Sequence, residues 1–274
     1  MLDQAVKLRE VVNAQTTVVP LGAQPHKITV ISGKGGVGKS NIALNLGLAL
    51  ARDGARVLLV DGNVNLSNLD ILSGVAPSHR LFDVIDGSTR LKDAVAEISK
   101  NVFLLAGSSD GQLKRLTSGD AAAFFREVRL TEPAFHYAVI DTAGGIVQES
   151  ISLALLSDEV LVVSTPEPTA VMDAYVLVKA IKRINSSADL KLLINRARDA
   201  SQAEEVKTKF DLVSDHFLNM RIDYAGFIPS DDSVEKAVSV QSPLMKEFPE
   251  SPSSRALMLI ADRILSRGPF GKKK

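Results

Sequence analysis

Residues Gly33-Lys34-Gly35-Gly36-Val37-Gly38-Lys39-Ser40 follow the apolar run Ile28-Thr29-Val30-Ile31 and lead into Ile42-Ala43-Leu44-Asn45-Leu46-Gly47-Leu48-Ala49-Leu50. A β-like run, a glycine-rich turn and a helical pattern form the setting in which this spacing describes a P-loop. Glycines lack Cβ atoms, so the backbone can curl tightly and take positive φ. Successive N–H groups then face inward and, with the helix N-terminus, make a nest for phosphate oxygens. Gly33, Lys34, Gly35, Gly36, Val37, Gly38, Lys39, Ser40 and Asn41 are therefore the expected phosphate-binding residues. Lys39 is expected to reach the β- and γ-phosphates, and Ser40 to offer its hydroxyl to Mg²⁺.

From Lys27 onward, apolar runs alternate with helical patterns. Strands are expected at Ile28–Ser32, Arg56–Asp61, Val102–Ala106, Tyr137–Asp141, Val160–Thr165, Leu190–Asn195 and Tyr224–Ile228. Helices are expected at Asn41–Arg52, Ala121–Thr131, Glu149–Leu156, Thr169–Asn185, Ala203–Phe217, Asp232–Val240 and Pro252–Ser266. Nearly all-apolar strands imply a sheet covered on both faces. The alternation predicts an α/β fold: a P-loop NTPase with a doubly wound, mainly parallel sheet flanked by helices. Ahead of it, Leu2 to Val12 read as a short amphipathic helix, with Leu2, Ala5, Leu8 and Val12 able to share a face. Asn13 to Pro25 carry two prolines and no clear period, and read as a linker. The expected division is an N-terminal helix and linker over 1–25, a P-loop domain over 26–267 and a basic tail over 268–274.

Ligands of such sheets gather beyond the carboxyl ends of the strands. Asp61 and Asp141 stand at two of those ends, the second after Tyr137-Ala138-Val139-Ile140. An acid in that position of a P-loop protein is the expected partner of Mg²⁺, held largely through water. Ser40, Asp61 and Asp141 are thus the candidate metal residues, although a strand-end acid can equally cap a following helix.

Composition narrows the classes. The 274 residues carry no formal net charge, with 45% apolar and 23% charged residues, which fits a soluble domain with a large core and not a strong nonspecific nucleic-acid binder. There is no cysteine, so disulfides and cysteine-ligated iron–sulfur clusters are excluded. The start, Met1-Leu2-Asp3-Gln4, shows neither a basic nor an apolar signal region, and no apolar run is long enough to span a bilayer. A cytoplasmic location is expected, at most peripheral at the inner membrane face or the cell pole. His26, His79, His136 and His216 show no zinc-like spacing.

Lys34, directly after the first glycine, is more than a P-loop requires. The sequence Gly-Lys-Gly-Gly-Val-Gly-Lys-Ser resembles the deviant Walker A loop of the MinD/ParA ATPases. That resemblance implies ATP and Mg²⁺ as cofactors. It also implies an ATP-dependent homodimer in which Lys34 crosses to the phosphates of the second subunit. It further implies adenine contacts from Asn195 and the adjoining Arg196, and from the loop Pro229 to Asp231, although both stretches can be ordinary polar turns. Thr142-Ala143-Gly144-Gly145 resembles a switch loop that senses the γ-phosphate. One stretch departs from the family. Asp61-Gly62-Asn63-Val64-Asn65 places Asn63 where relatives carry the aspartate that positions and activates water. A carboxamide can hydrogen-bond water but cannot take its proton. Lys34, Lys39 and Asn63 are the candidate catalytic residues of an ATPase expected to be slow.

Within the family, Asn68-Leu69-Asp70, Thr165-Pro166-Glu167-Pro168-Thr169-Ala170 with Asp173-Ala174-Tyr175, and Leu193-Ile194-Asn195-Arg196-Ala197-Arg198 resemble the flagellar-number regulators of the FlhG (FleN, YlxH) branch. So does the N-terminal Asp3-Gln4-Ala5 with Leu8-Arg9. The resemblance implies that this helix stimulates the GTPase FlhF, with Gln4 reaching its catalytic site and Asp3, Ala5, Leu8 and Arg9 docking it; a frayed surface helix is the plainer reading. Flagellar switch (C-ring) proteins are further partners implied. The C-terminus departs from the relatives' membrane-targeting helix. Leu257, Ile260, Ala261 and Ile264 form one stripe, and beyond Gly268-Pro269 only Phe270 and Lys272-Lys273-Lys274 are distinctive. That tail offers little apolar area, so weak or no lipid association is expected. A Min- or Par-type regulator of division or cargo positioning, or a non-hydrolysing ATP-bound scaffold, are the alternatives.

Overall fold

The computed structural model describes residues 24–63, 66–108, 115–218 and 220–268. An eight-stranded sheet forms its centre: β1 (His26–Ser32), β2 (Val57–Asp61), β3 (Ala96–Ser99), β4 (Val102–Leu105), β5 (Tyr137–Gly144), β6 (Glu159–Ser164), β7 (Leu190–Ala197) and β8 (Asp223–Pro229). Their order is β3-β4-β2-β5-β1-β6-β7-β8. All neighbouring pairs are parallel except β3 with β4. The seven expected strands are these parallel ones. The winding direction reverses about β1, whose carboxyl end carries the glycine-rich loop, so the loop sits where doubly wound sheets open a crevice.

The long helices are α1 (Lys39–Ala51), α5 (Ser118–Leu130), α6 (Gln148–Leu155), α7 (Pro168–Ile184), α8 (Ala200–Leu218), α9 (Asp232–Ser239) and α11 (Pro252–Arg267). Short ones are α2 (Leu69–Ser73), α3 (Leu81–Ile85), α4 (Leu91–Ala94) and α10 (Leu244–Glu247). Alternate strand residues divide the core. Val30, Leu59, Val139 and Leu161 face α1 and α11, while Ile31, Val162 and Leu192 face α6, α7 and α8. Leu58, Val60 and Ile140 face α3, α4 and α5. Burial on both faces explains the near-continuous apolar runs.

Helix α1 is apolar around most of its circumference because it is enclosed by sheet and α11. Gly47 permits that depth: a Cβ there would lie 2.6 Å from Leu59 Cδ2. α11 is capped by Ser251, whose Oγ accepts from Ser254 N at 3.2 Å, with Pro252 at the first helical position, where its missing N–H costs nothing.

Two expectations need correcting. The sequence reading has no strand at Ala96–Ser99, yet these residues form an antiparallel edge. Asp141 does not end its strand either: β5 runs on through Thr142-Ala143-Gly144 because Gly144 pairs with Ser32 and Thr142 Oγ1 donates to Val30 O at 2.9 Å. The chain turns only at Gly145, with φ 95°. The N-terminal residues Asp3, Gln4, Ala5, Leu8 and Arg9, and the tail from Pro269, lie outside the described residues.

Candidate nucleotide-binding site

The loop between β1 and α1 is tightly packed on its neighbours. A Cβ on Gly33 would lie 2.2 Å from Asp173 O of α7, and one on Gly144 would lie 2.7 Å from Gly35 Cα. Gly36 and Gly38 take φ of 74° and 96°. Gly35 and Gly36 face open space. The first turn of α1 carries no acidic side chain, so its free amides and positive dipole end face the loop unopposed. Such a concavity is suited to a polyphosphate.

The two loop lysines behave differently. Lys39 is buried, and its Nζ donates to Ser32 Oγ at 2.9 Å; that hydroxyl in turn donates to Lys34 O at 2.6 Å. Burial lowers the Lys39 pKa, with Asp141 opposing the shift. Lys34 is partly exposed and points away from its own loop. Its Nζ pairs with Glu167 and donates to Thr169 Oγ1 at 3.2 Å, at the start of α7. That ammonium holds the Glu167 carboxyl below its ordinary range.

Asp61 and Asp141 are side by side in the β2–β5 register, and both are buried. Asp61 is held by four donors: Asn63 N at 3.1 Å, Ser67 Oγ at 2.8 Å, Asn68 N at 2.9 Å and Leu69 N at 3.1 Å. Burial raises its pKa against the pull of those donors. Asp141 has weaker support. Ser40 hydrogen-bonds it, but Oδ1 is buried without any hydrogen-bond partner. Burial first, and the charge of Asp61 second, push Asp141 up to about 7. An orphaned carboxylate oxygen beside a hydroxyl and a second carboxylate is a hard-oxygen donor set that fits Mg²⁺ completed by water and phosphate. No group of three or more His, Cys, Asp and Glu side chains suited to a metal occurs among the described residues, so any cation here relies on such completion.

Asn63 lies in the same loop, where its Nδ2 donates to Leu66 O at 2.8 Å. On the far side, Asn195 is buried against the P-loop: Nδ2 donates to Val37 O at 2.7 Å, and a Cβ on Gly38 would lie 2.4 Å from it. Arg196 is exposed at φ 57°, a left-handed conformation uncommon for such a residue. Ala197 pairs with Pro229, and Ser230 N donates to Ala197 O at 2.8 Å, so the two loops expected to flank a base are neighbours. Asp231 caps two helices, accepting from Ser233 N at 2.9 Å in α9 and from Ser253 N at 3.0 Å in α11. These donors hold its carboxyl below the usual range against the opposing effect of burial. Ser32, whose hydroxyl accepts from Lys39 Nζ and donates to Lys34 O, is a site residue that the motif spacing does not mark; only its adjacency to the glycine loop points to it.

Fold and site together define a P-loop NTPase. A protein-family model, ParA, described as NUBPL iron-transfer P-loop NTPase, matches residues 24–265. The chain is 35% identical over 238 residues to the antiactivator FleN of Pseudomonas aeruginosa, covering 86% of this chain and 85% of that one. It is 29% identical over 244 residues to the flagellum site-determining protein YlxH of Helicobacter pylori, covering 88% and 82%. Among solved structures, the septum site-determining protein MinD of Pyrococcus horikoshii, complexed with Mg-ADP, superposes with a TM-score of 0.72 at 23% identity, covering 91% and 100%. This chain belongs to the ParA/MinD family of P-loop ATPases. The sequence contains no cysteine, so its side chains offer no thiolate to an iron–sulfur cluster.

Proposed function

We propose that this ATPase is a nucleotide-gated dimerisation switch that regulates the number or placement of flagella. The observation that carries the reading is the divergence of the two loop lysines. Lys39 is buried toward its own phosphate nest, and Lys34 is directed outward onto Glu167 and Thr169. An outward cation on a solvated pair is free to exchange partners, because such pairs hold weakly. In a dimer, Lys34 would leave Glu167 for the triphosphate of the other subunit. The likeness to FleN and YlxH supports the flagellar assignment.

In this reading the loop amides, Lys39 and Ser40 bind the β- and γ-phosphates. Asn195, Arg196, Pro229 and Asp231 flank the adenine. Ser40, Asp61 and Asp141 would hold Mg²⁺, which would neutralise phosphate charge. Asn63 orients the attacking water by hydrogen bonding without accepting its proton, which makes turnover slow. The N-terminal Asp3, Gln4, Ala5, Leu8 and Arg9 dock on FlhF, and flagellar switch proteins are further partners. The chain works in the cytoplasm, with weak or no membrane association; no described helix is long and apolar enough to cross a bilayer.

FlhF GTP hydrolysis measured with wild type and Gln4→Ala is the test. Loss of stimulation with unchanged ATP binding supports the reading, and equal stimulation removes FlhF as the target. A Min- or Par-type spatial regulator is the second reading, favoured by sequence likeness to a septum site-determining MinD; pull-downs with FlhF against division-site partners separate the two. Asn63 keeps a third reading, an ATP-bound scaffold without turnover, which undetectable phosphate release would support.

A further inference from the structure

We propose that Arg80 is a positioning residue for the Asp61 carboxylate, and through it for the magnesium subsite. The inference rests on the reading of Asp61 as a metal residue. Arg80 lies just before α3, where its backbone N donates to Asp83 Oδ2 at 2.8 Å. Its Nη1 makes two further bonds, to Asp70 Oδ2 at 3.2 Å and to Gly107 O at 2.8 Å. Each partner bears on Asp61 from a different side.

Asp70 is the second residue of α2, directly after the Asn68 and Leu69 amides that donate to Asp61 Oδ2. Gly107 follows β4 and is pressed on Asp61 itself: a Cβ there would lie 2.9 Å from Asp61 O and 3.3 Å from its Cγ. The neighbouring bond from Leu81 N to Ala106 O, 2.8 Å, fixes the approach of the Arg80 segment to that strand end. Arg80 therefore spans the two walls that fix Asp61. The contact is charge-assisted toward Asp70, and Asp70 is buried, so losing the guanidinium strands a charge against the loop it should hold. Groups that orient a metal ligand commonly control metal affinity almost as strongly as the ligand.

The test uses the full chain and a fluorescent ATP analogue, titrated with Mg²⁺ and, separately, in EDTA. Arg80→Ala is expected to raise the Mg²⁺ concentration for half-maximal binding about tenfold, while leaving affinity in EDTA unchanged. Asp61→Asn is expected to raise it too, and the double variant to match Asp61→Asn alone. Asp70→Asn serves as a second variant should Arg80→Ala fail to fold, and is expected to shift the midpoint in the same direction. A shift with Asp61→Asn but none with the Arg80 or Asp70 variants overturns the positioning role alone. Equal losses with and without Mg²⁺ overturn it as well, because they mark a general folding effect. No shift with Asp61→Asn overturns the metal reading of Asp61 and the inference together.

Discussion

Asp61 and Asp141 are direct neighbours on adjacent parallel strands, both buried, yet Asp61 is held by four donors while Asp141 keeps one oxygen with none. Their inequality has a pH signature. Burial and the Asp61 charge push Asp141 up to about 7, above the ordinary aspartate value near 4. The folded state then binds that proton more tightly than the unfolded chain. The resulting stabilisation is present at acid pH and is lost as pH rises through about 7. Urea midpoints of metal- and nucleotide-free protein are expected to fall between about pH 6 and pH 8, and to fall less in Asp141→Asn. Saturating Mg²⁺ and ATP should flatten the wild-type curve, because a bound cation favours the carboxylate. A wild-type midpoint that climbs over this window, or a variant curve of the same slope, would contradict the assignment.

Lys39 gives a binding prediction separable from stability. Its ammonium is buried on a neutral hydroxyl, and its pKa is lowered by that burial. Lys39→Met removes a charge that is costly to bury and, in the proposed site, would remove a charge-assisted contact to phosphate, a contact worth about 1.5–3 kcal/mol. ATP affinity measured calorimetrically is expected to drop at least about tenfold, while the nucleotide-free melting temperature stays level or rises. Unchanged affinity would remove Lys39 from the phosphate site.

Gly33 and Gly38 can be tested by one added methyl group each. Gly33→Ala brings a Cβ to 2.2 Å from Asp173 O, where backbone must yield. Gly38→Ala meets Asn195 Nδ2 at 2.4 Å in a left-handed conformation and threatens the Asn195 bond to Val37 O. Each is expected to cost about 1–3 kcal/mol of folding stability in denaturant titrations. Gly35→Ala, with open space around it, is expected to leave stability within about 0.5 kcal/mol. Three equal melting curves would show that the loop is less constrained than it stands here.

Asn63→Asp tests the proposed slow turnover. The carboxylate can accept the proton of an attacking water, but it cannot donate to Leu66 O as Asn63 Nδ2 does. Steady-state phosphate release is expected to rise at least about tenfold, with a loss of about 1 kcal/mol in stability from the missing bond. Equal rates in both proteins would place the control of hydrolysis elsewhere.

The seven parallel strands were legible because each reads as a largely apolar run, and all but the edge strand β8 are buried along most of their length. Ala96–Ser99 escaped notice because it alternates between half-buried and exposed residues, is four residues long and pairs at the edge with a register shift. Helices α2, α3, α4 and α10 have four or five residues, too few to display a 3.6-residue period. The glycine loop, Asp61 and Asp141 were legible from local spacing. The bond of Asn195 to Val37 O joins residues 158 apart, and Arg80 reaches Gly107 across 27, so neither leaves a local pattern. Asp231 was marked as part of the base-flanking loop that the family resemblance implies, yet what fixes it is the meeting of α9 and α11, which only tertiary packing reveals.

The outward Lys34 carries the central claim, and oligomeric mass tests it most directly. Light scattering on size exclusion should be run without nucleotide, with ADP, with ATP and with a non-hydrolysable ATP analogue, for wild type and Lys34→Ala. A monomer without nucleotide or with ADP, a dimer with ATP or its analogue, and a Lys34→Ala variant that binds ATP yet stays monomeric are the expected results. A single mass under every nucleotide, or a variant that dimerises like wild type, would contradict the claim that Lys34 joins two ATP-loaded subunits.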